Sequence, residues 1–208
     1  MLWIKIVLTV VAGYLLGNLN GAVSISTLMK DDVRSHGSGN AGLTNFIRNY
    51  GRNKALGVIA VDAVKAVLSC LLGGYLLQPE GMYAEGVAIG GTAVMVGHVF
   101  PVLLGFRGGK GILSGLFIAL TADWRIAVIG LSLFLILYFL TRYVSLSSVV
   151  GATAFGAGFA IFFWGNWVVV GCGVFMAAMA IFMHRSNIVR LVKGNEVKTD
   201  LFAKGKSA

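Results

Sequence analysis

Long apolar stretches separated by short polar segments dominate the chain. Seven can be drawn, at about 2–24, 55–77, 86–104, 111–122, 126–141, 145–163 and 167–183. A helix that is apolar all round must be buried in protein or in lipid, and a bilayer asks for ~20 such residues per crossing. The pattern therefore predicts an all-α integral membrane protein with about seven transmembrane helices. The fourth stretch is short for a full crossing and is expected to be tilted, broken or partly re-entrant. The first ends in Asn18, Leu19, Asn20 and Gly21, with no small-x-small cleavage site, and reads as a retained helix rather than a signal peptide.

Composition strengthens this reading. Of 208 residues, 57% are hydrophobic and 12% charged, far from the roughly 25% charged of a soluble domain. The formal charge of +9 raises the question of nucleic acid, but the placement of the basic residues answers it. With the N-terminus outside, Lys30, Arg34, Arg48, Arg52, Lys54, Arg107, Lys110, Arg142, Arg185, Arg190 and the tail lysines all fall on the cytoplasmic side, as does the C-terminus. The outer connections keep Glu80, Glu85, Asp123 and Arg125. This is the positive-inside pattern, so the charge is first a topology signal and no nucleic-acid partner is expected. Residues 1–193 form one polytopic domain in this reading, and 194–208 a basic cytoplasmic tail expected to be flexible. Cys70 and Cys172 lie within apolar stretches, where a free Cys behaves as a small hydrophobe, and no metal site or cofactor is expected.

Chemistry concentrates on the cytoplasmic side. In His36-Gly37-Ser38-Gly39-Asn40-Ala41-Gly42-Leu43-Thr44-Asn45, glycines alternate with small donors and Arg48 follows. Such a loop lets backbone amides approach an oxyanion, and a following helix N-terminus adds a favourable dipole. Taken alone, a loop of this kind is more often a solvated turn. Phe106-Arg107-Gly108-Gly109-Lys110-Gly111 repeats the character with a lysine at a helix start, but Gly111-Ile112 follows Lys110 where a Walker A loop has a hydroxyl directly after its Gly-Lys, so nucleotide hydrolysis is set aside. Asp62 and Lys65 lie three apart on one helix face. They read either as a buried ion pair or as a pair holding Lys65 toward a phosphate. Ser145, Ser147 and Ser148 open the sixth stretch, while His184, Arg185, Asn187 and Arg190 leave the seventh. No carboxylate stands beside His184 to orient it, which argues against a covalent acyl-serine. His98 is assigned to satisfying a neighbouring helix.

Taken in order, Gly37-Ser38-Gly39-Asn40 with Gly42, Thr44 and Asn45, Asp62-x-x-Lys65, Gly97-His98 with Pro101, Gly108-Gly109-Lys110-Gly111, Ser145 to Ser148, and His184-Arg185-x-Asn187 resemble the bacterial acyl-phosphate:glycerol-3-phosphate acyltransferases, the PlsY family. The resemblance spans residues 13 to about 190. It implies a multi-pass protein of the bacterial cell (inner, cytoplasmic) membrane whose active site faces the cytoplasm. The implied reaction moves a long acyl chain from acyl phosphate to the 1-hydroxyl of glycerol 3-phosphate, giving lysophosphatidate and inorganic phosphate without a cofactor. Membrane lipid and an upstream enzyme that produces acyl phosphate are the implied partners. Carried over by position, the catalytic set is Ser38, Arg48, Lys110, Ser148, His184 and Asn187. The substrate-binding set is Gly39, Asn40, Gly42, Thr44, Asn45, Lys65, Gly108, Gly109, Gly111 and Ser145. A phosphate transporter is the competing class, but the outer halves of the stretches are almost wholly apolar and offer no continuous polar path.

Overall fold

The computed structural model describes residues 1–201 as an all-helical protein with no strand among the described residues. Ten α-helices follow one another: α1 (Leu2–Gly17), α2 (Gly21–Leu28), α3 (Leu43–Tyr50), α4 (Arg52–Leu77), α5 (Tyr83–Val99), α6 (Ile112–Ala122), α7 (Trp124–Thr141), α8 (Val144–Phe162), α9 (Trp167–Met183) and α10 (Arg185–Val192). Four of them are long and apolar enough to cross a membrane, and six crossings result if each of two bent pairs counts as one. Those pairs are α1 with α2, bent by 41°, and α9 with α10, bent by 55°. The short fourth stretch is α6, 11 residues long.

The first bend has a legible cause. Asn18 Nδ2 donates back to the Tyr14 carbonyl, and the Asn20 side chain accepts from the Val23 amide at 3.1 Å, capping a new helix. The break leaves carbonyls without helical partners, and Lys65 from α4 donates to that of Leu19 at 2.7 Å. Lys65 also meets Asp62 at 2.7 Å and His98 Nδ1 at 2.8 Å. A lysine only donates, so Nδ1 of His98 is the unprotonated nitrogen. This buried cluster joins the first bend, α4 and α5 at one point, and His98 does satisfy a neighbouring helix.

α4 packs extensively on α5, and α5 on α1. Hydrocarbon supplies no hydrophobic drive between helices, so close backbone approach has to. A Cβ on Gly73 would sit 2.1 Å from the Gly86 carbonyl oxygen, and one on Gly86 the same distance from that of Gly73. Only two glycines allow that contact. One apolar core joins α4, α5, α6, α7, α8 and α9 around Ile118, Phe159 and Met176.

The connections that carry basic and glycine-rich sequence gather at one end of the bundle. At the other end lie the ion pair of Lys5 with Glu80 (2.9 Å) and the hydrogen bond from Asn166 to Glu85 (2.9 Å). The packed body does not stop at residue 193. Glu196, Thr199 and Leu201 are hydrogen-bonded into the polar end, past the boundary at residue 193 expected from sequence. The tail lysines Lys204 and Lys206 lie outside the described residues.

Candidate active site

A cavity of about 960 Å³ opens at the polar end and runs into the bundle. Four helices begin on its wall: α3 with Leu43 and Thr44, α6 with Ile112 and Leu113, α8 with Val144 and Ser145, and α10 with Arg185 and Ser186. Each helix start presents unpaired amides and the positive end of a macrodipole, so the polar end favours anions before any side chain is counted. α9 ends there at Met183, where α10 immediately takes over the chain. Arg48, Lys110, Arg185 and Arg190 add formal positive charge to the same wall.

The first loop is built around Asn45. Its Oδ1 accepts from the Ser38 amide at 3.0 Å, and its Nδ2 donates to the carbonyls of Val33, His36 and Asn40. Those bonds occupy the side chain, so Asn45 shapes the loop, while Ser38, Gly39, Asn40, Gly42 and Thr44 line the cavity beside it. Gly37 and Gly39 adopt φ of 56° and 70°, the left-handed region the loop needs. Arg48, one turn into α3, donates to the Thr199 hydroxyl.

Lys110 donates to Asn187 Oδ1, and Asn187 Nδ2 donates to Glu196 at 2.7 Å. Burial, then the neighbouring charges of Arg190 and Arg48 against the opposing Glu196, bring the Lys110 ammonium down to about 8. His184 Nδ1 faces the Ala180 carbonyl at 2.8 Å and must donate to it, which leaves Nε2 as an acceptor. Burial lowers His184 to about 4, so it is neutral near pH 7. Ser145 and Ser148 are buried on the cavity wall, and Ser145 Oγ has no partner in hydrogen-bond geometry. Beyond the serines the cavity becomes an apolar arm between α6, α7, α8 and α9, reaching Ile126, Phe155 and Met176.

Thirteen of the sixteen residues singled out in sequence therefore border one cavity. Gly108, Gly109 and Lys65 do not. A Cβ on Gly108 would stand 2.0 Å from the His98 carbonyl oxygen, and one on Gly109 2.2 Å from His98 Nε2. These glycines let the second loop press onto α5, and only Lys110 and Gly111 of that loop face the cavity. Lys65 has its three donors taken by Asp62, His98 and Leu19, so the ion-pair reading is the one the geometry favours. Sequence reasoning missed Glu196 and Thr199. A carboxylate between Lys193 and Lys198 was the available signal.

An integral membrane protein whose basic, glycine-rich end opens into an apolar arm fits one class, enzymes that join a phosphate-bearing substrate to a lipid chain. Residues 7–194 match the family model described as glycerol-3-phosphate acyltransferase, and the chain belongs to that family. It is 41% identical over 193 residues to the glycerol-3-phosphate acyltransferase of Thermoanaerobacter pseudethanolicus, covering 92% of this chain and 94% of the relative. It is 34% identical over 200 residues to that of Finegoldia magna, covering 95% and 98%. The fold is similar to the crystal structure of PlsY (YgiH), an integral membrane glycerol 3-phosphate acyltransferase, in its glycerol 3-phosphate form, with a TM-score of 0.84 and 30% identity over 94% of this chain and 96% of that one. The lysophosphatidic acid form of the same protein gives a TM-score of 0.81.

Proposed function

We propose that this chain transfers a long fatty acyl group from acyl phosphate to the 1-hydroxyl of glycerol 3-phosphate, releasing lysophosphatidate and inorganic phosphate. One observation carries the reading: a single cavity joins a phosphate-type end to an apolar arm among membrane helices. Acyl phosphate is a molecule with those two ends directly bonded. The arm takes the chain from within the lipid, and the serines where the arm begins sit where the reacting carbonyl must lie.

In this reading Arg48, Lys110 and the amides at the starts of α3 and α6 hold the donor phosphate. His184 and Asn187 place glycerol 3-phosphate, and Ser38 and Ser148 lie between the two. The acceptor oxygen bonds to the acyl carbon, the bond from that carbon to the phosphate oxygen breaks, and the hydroxyl proton leaves on the departing phosphate. A histidine lowered to about 4 is a weak base, so Nε2 of His184 serves to orient the hydroxyl rather than to remove its proton. The phosphate is already a good leaving group. Positioning and donors aimed at the developing oxyanion then supply the catalysis, each donor contributing about 3 kcal/mol. The polar end faces the cytoplasm of a bacterial cell, where an upstream enzyme that produces acyl phosphate supplies the donor.

The test is direct. Purified protein in detergent or lipid is given glycerol 3-phosphate and long-chain acyl phosphate, and release of inorganic phosphate is followed with and without a chelator. Glycerol-3-phosphate-dependent release with matching lysophosphatidate supports the reading. Product from acyl-CoA alone would replace the donor, and no product from either donor would turn attention to phosphate transport.

A further inference from the structure

Past Val192 the chain turns back across the polar end of the cavity and is held at both edges. At one edge Glu196 accepts from Asn187 Nδ2 at 2.7 Å and from Arg190 Nε at 2.8 Å. At the other the Thr199 amide donates to the Arg142 carbonyl at 3.0 Å. The Tyr138 hydroxyl there donates to the Thr199 carbonyl at 3.2 Å and accepts from the Leu201 amide at 2.9 Å. Between the two edges the Thr199 side chain, 4% exposed, accepts from the Arg48 guanidinium. The family match ends at residue 194, so this strap lies beyond it.

We propose that residues 195–201 are a positioning strap for the active site, in which Thr199 sets Arg48, Glu196 sets Asn187 and Arg190, and Tyr138 fastens the strap to α7. The proposal rests on the functional reading above for the identity of the phosphate substrates.

The physical case concerns what these side chains do without the strap. Arg48 projects from a helix of only eight residues on a long flexible stem, and a guanidinium free to sample rotamers must be ordered each time a phosphate arrives. The Thr199 hydroxyl fixes one of its NH₂ groups and leaves the others to meet a phosphate. Asn187 is the sharper case. Its Oδ1 accepts from Lys110 while its Nδ2 donates to Glu196, so a carboxylate on one side and an ammonium on the other define which way the amide faces. Burial alone would raise the Glu196 carboxyl, but hydrogen bonds from Asn187 and Arg190 and the charge of Arg190 outweigh it and hold the group ionised. The Ser145 hydroxyl lies toward the same carboxylate and helps lower it, although it meets no partner in full hydrogen-bond geometry.

A contrary role is also testable. A carboxylate among Arg48, Lys110 and Arg190 could merely occupy the place of substrate phosphate and have to leave, in which case removing its charge would tighten phosphate binding. The full-length protein is therefore compared with Thr199→Val, Thr199→Ser and Glu196→Gln in steady-state kinetics, in calorimetric titration with glycerol 3-phosphate, and in thermal melts. We expect Thr199→Val to raise KM for at least one phosphate substrate roughly tenfold, the scale of one hydrogen bond to a charged group, with an unchanged melting temperature. Thr199→Ser should restore it, and Glu196→Gln should weaken glycerol 3-phosphate. The proposal is overturned by Thr199→Val kinetics within about twofold of the unaltered protein, or by tighter binding in Glu196→Gln. A melting-temperature loss with unchanged KM, which marks a merely structural strap, also overturns it. Titration needs no donor, so glycerol 3-phosphate binding without turnover of acyl phosphate would remove the donor assignment while the strap is still judged by affinity. Absence of binding by the unaltered protein would overturn both.

Discussion

Lys65 and Lys110 stand at two polar points of the same bundle, and both looked in sequence like candidates for holding a phosphate. In the fold they are opposites. Lys65 is almost fully buried, and its ammonium meets Asp62, His98 and the Leu19 carbonyl, so every proton it can donate already has a partner. Lys110 stands on the wall of the cavity, where Asn187 is its one hydrogen-bond partner among the described residues and donors are left over. A lysine in a membrane protein is therefore assigned by its unused donors. Residue type alone, which the two share, does not separate them.

If the comparison is right, removing the two ammonium groups breaks different properties. Lys65→Met leaves Asp62 as a buried charge whose closest cation is gone, a loss that typically costs about 3–5 kcal/mol. The expected result is a large fall in thermal stability in detergent, while the protein that remains folded keeps KM values close to the original. A KM for glycerol 3-phosphate raised by more than tenfold in a stable Lys65→Met protein would return Lys65 to the binding site.

Lys110→Met should do the reverse. Its ammonium faces a cavity that already accommodates polar groups, so the melting temperature should change little. Turnover should fall by about 10²–10³, the usual effect of losing one donor aimed at transition-state charge. A Lys110→Met protein with near-normal turnover would leave the anion site to the arginines and helix starts alone.

The same contrast marks how far the sequence could be read. All seven apolar stretches became helices, and every glycine-rich or basic connection fell at one end, because apolar length and charge placement are properties of contiguous sequence. The break in the first stretch has no such contiguous signature, although Asn18 and Asn20 stand at it. Whether an Asn ends a helix depends on which amides its side chain reaches. Gly108 and Gly109 were assigned to phosphate because they flank Lys110. Their need for no Cβ comes from His98, ten or more residues away, and no local spacing shows that contact. Glu196 and Thr199 were passed over as tail for a related reason. Each acquires a role only through partners on α10, α3 and α7, so nothing within ten residues of Thr199 marks it as a neighbour of Arg48.

The smallest effect tests the comparison most finely, because it changes protons rather than residues. Lys110 lies at about 8 in the free protein, lowered mainly by burial and then by Arg190 and Arg48. Its charged form predominates below that pH and is lost above it. A phosphate monoester has its second ionisation near pH 6, so substrate charge is constant across this range and cannot mimic the effect. The value of kcat/KM, which reports the free enzyme, should therefore decline above pH 8 toward a limit of about tenfold per unit. Bound phosphate favours the ammonium, so the decline in kcat should appear at higher pH than that in kcat/KM. Lys110→Arg carries a charge that does not titrate in this range, and whatever activity it retains should lose the alkaline fall. A fall that persists unchanged in Lys110→Arg would assign the titration to another group and remove the main electrostatic distinction between Lys110 and its saturated counterpart at Lys65.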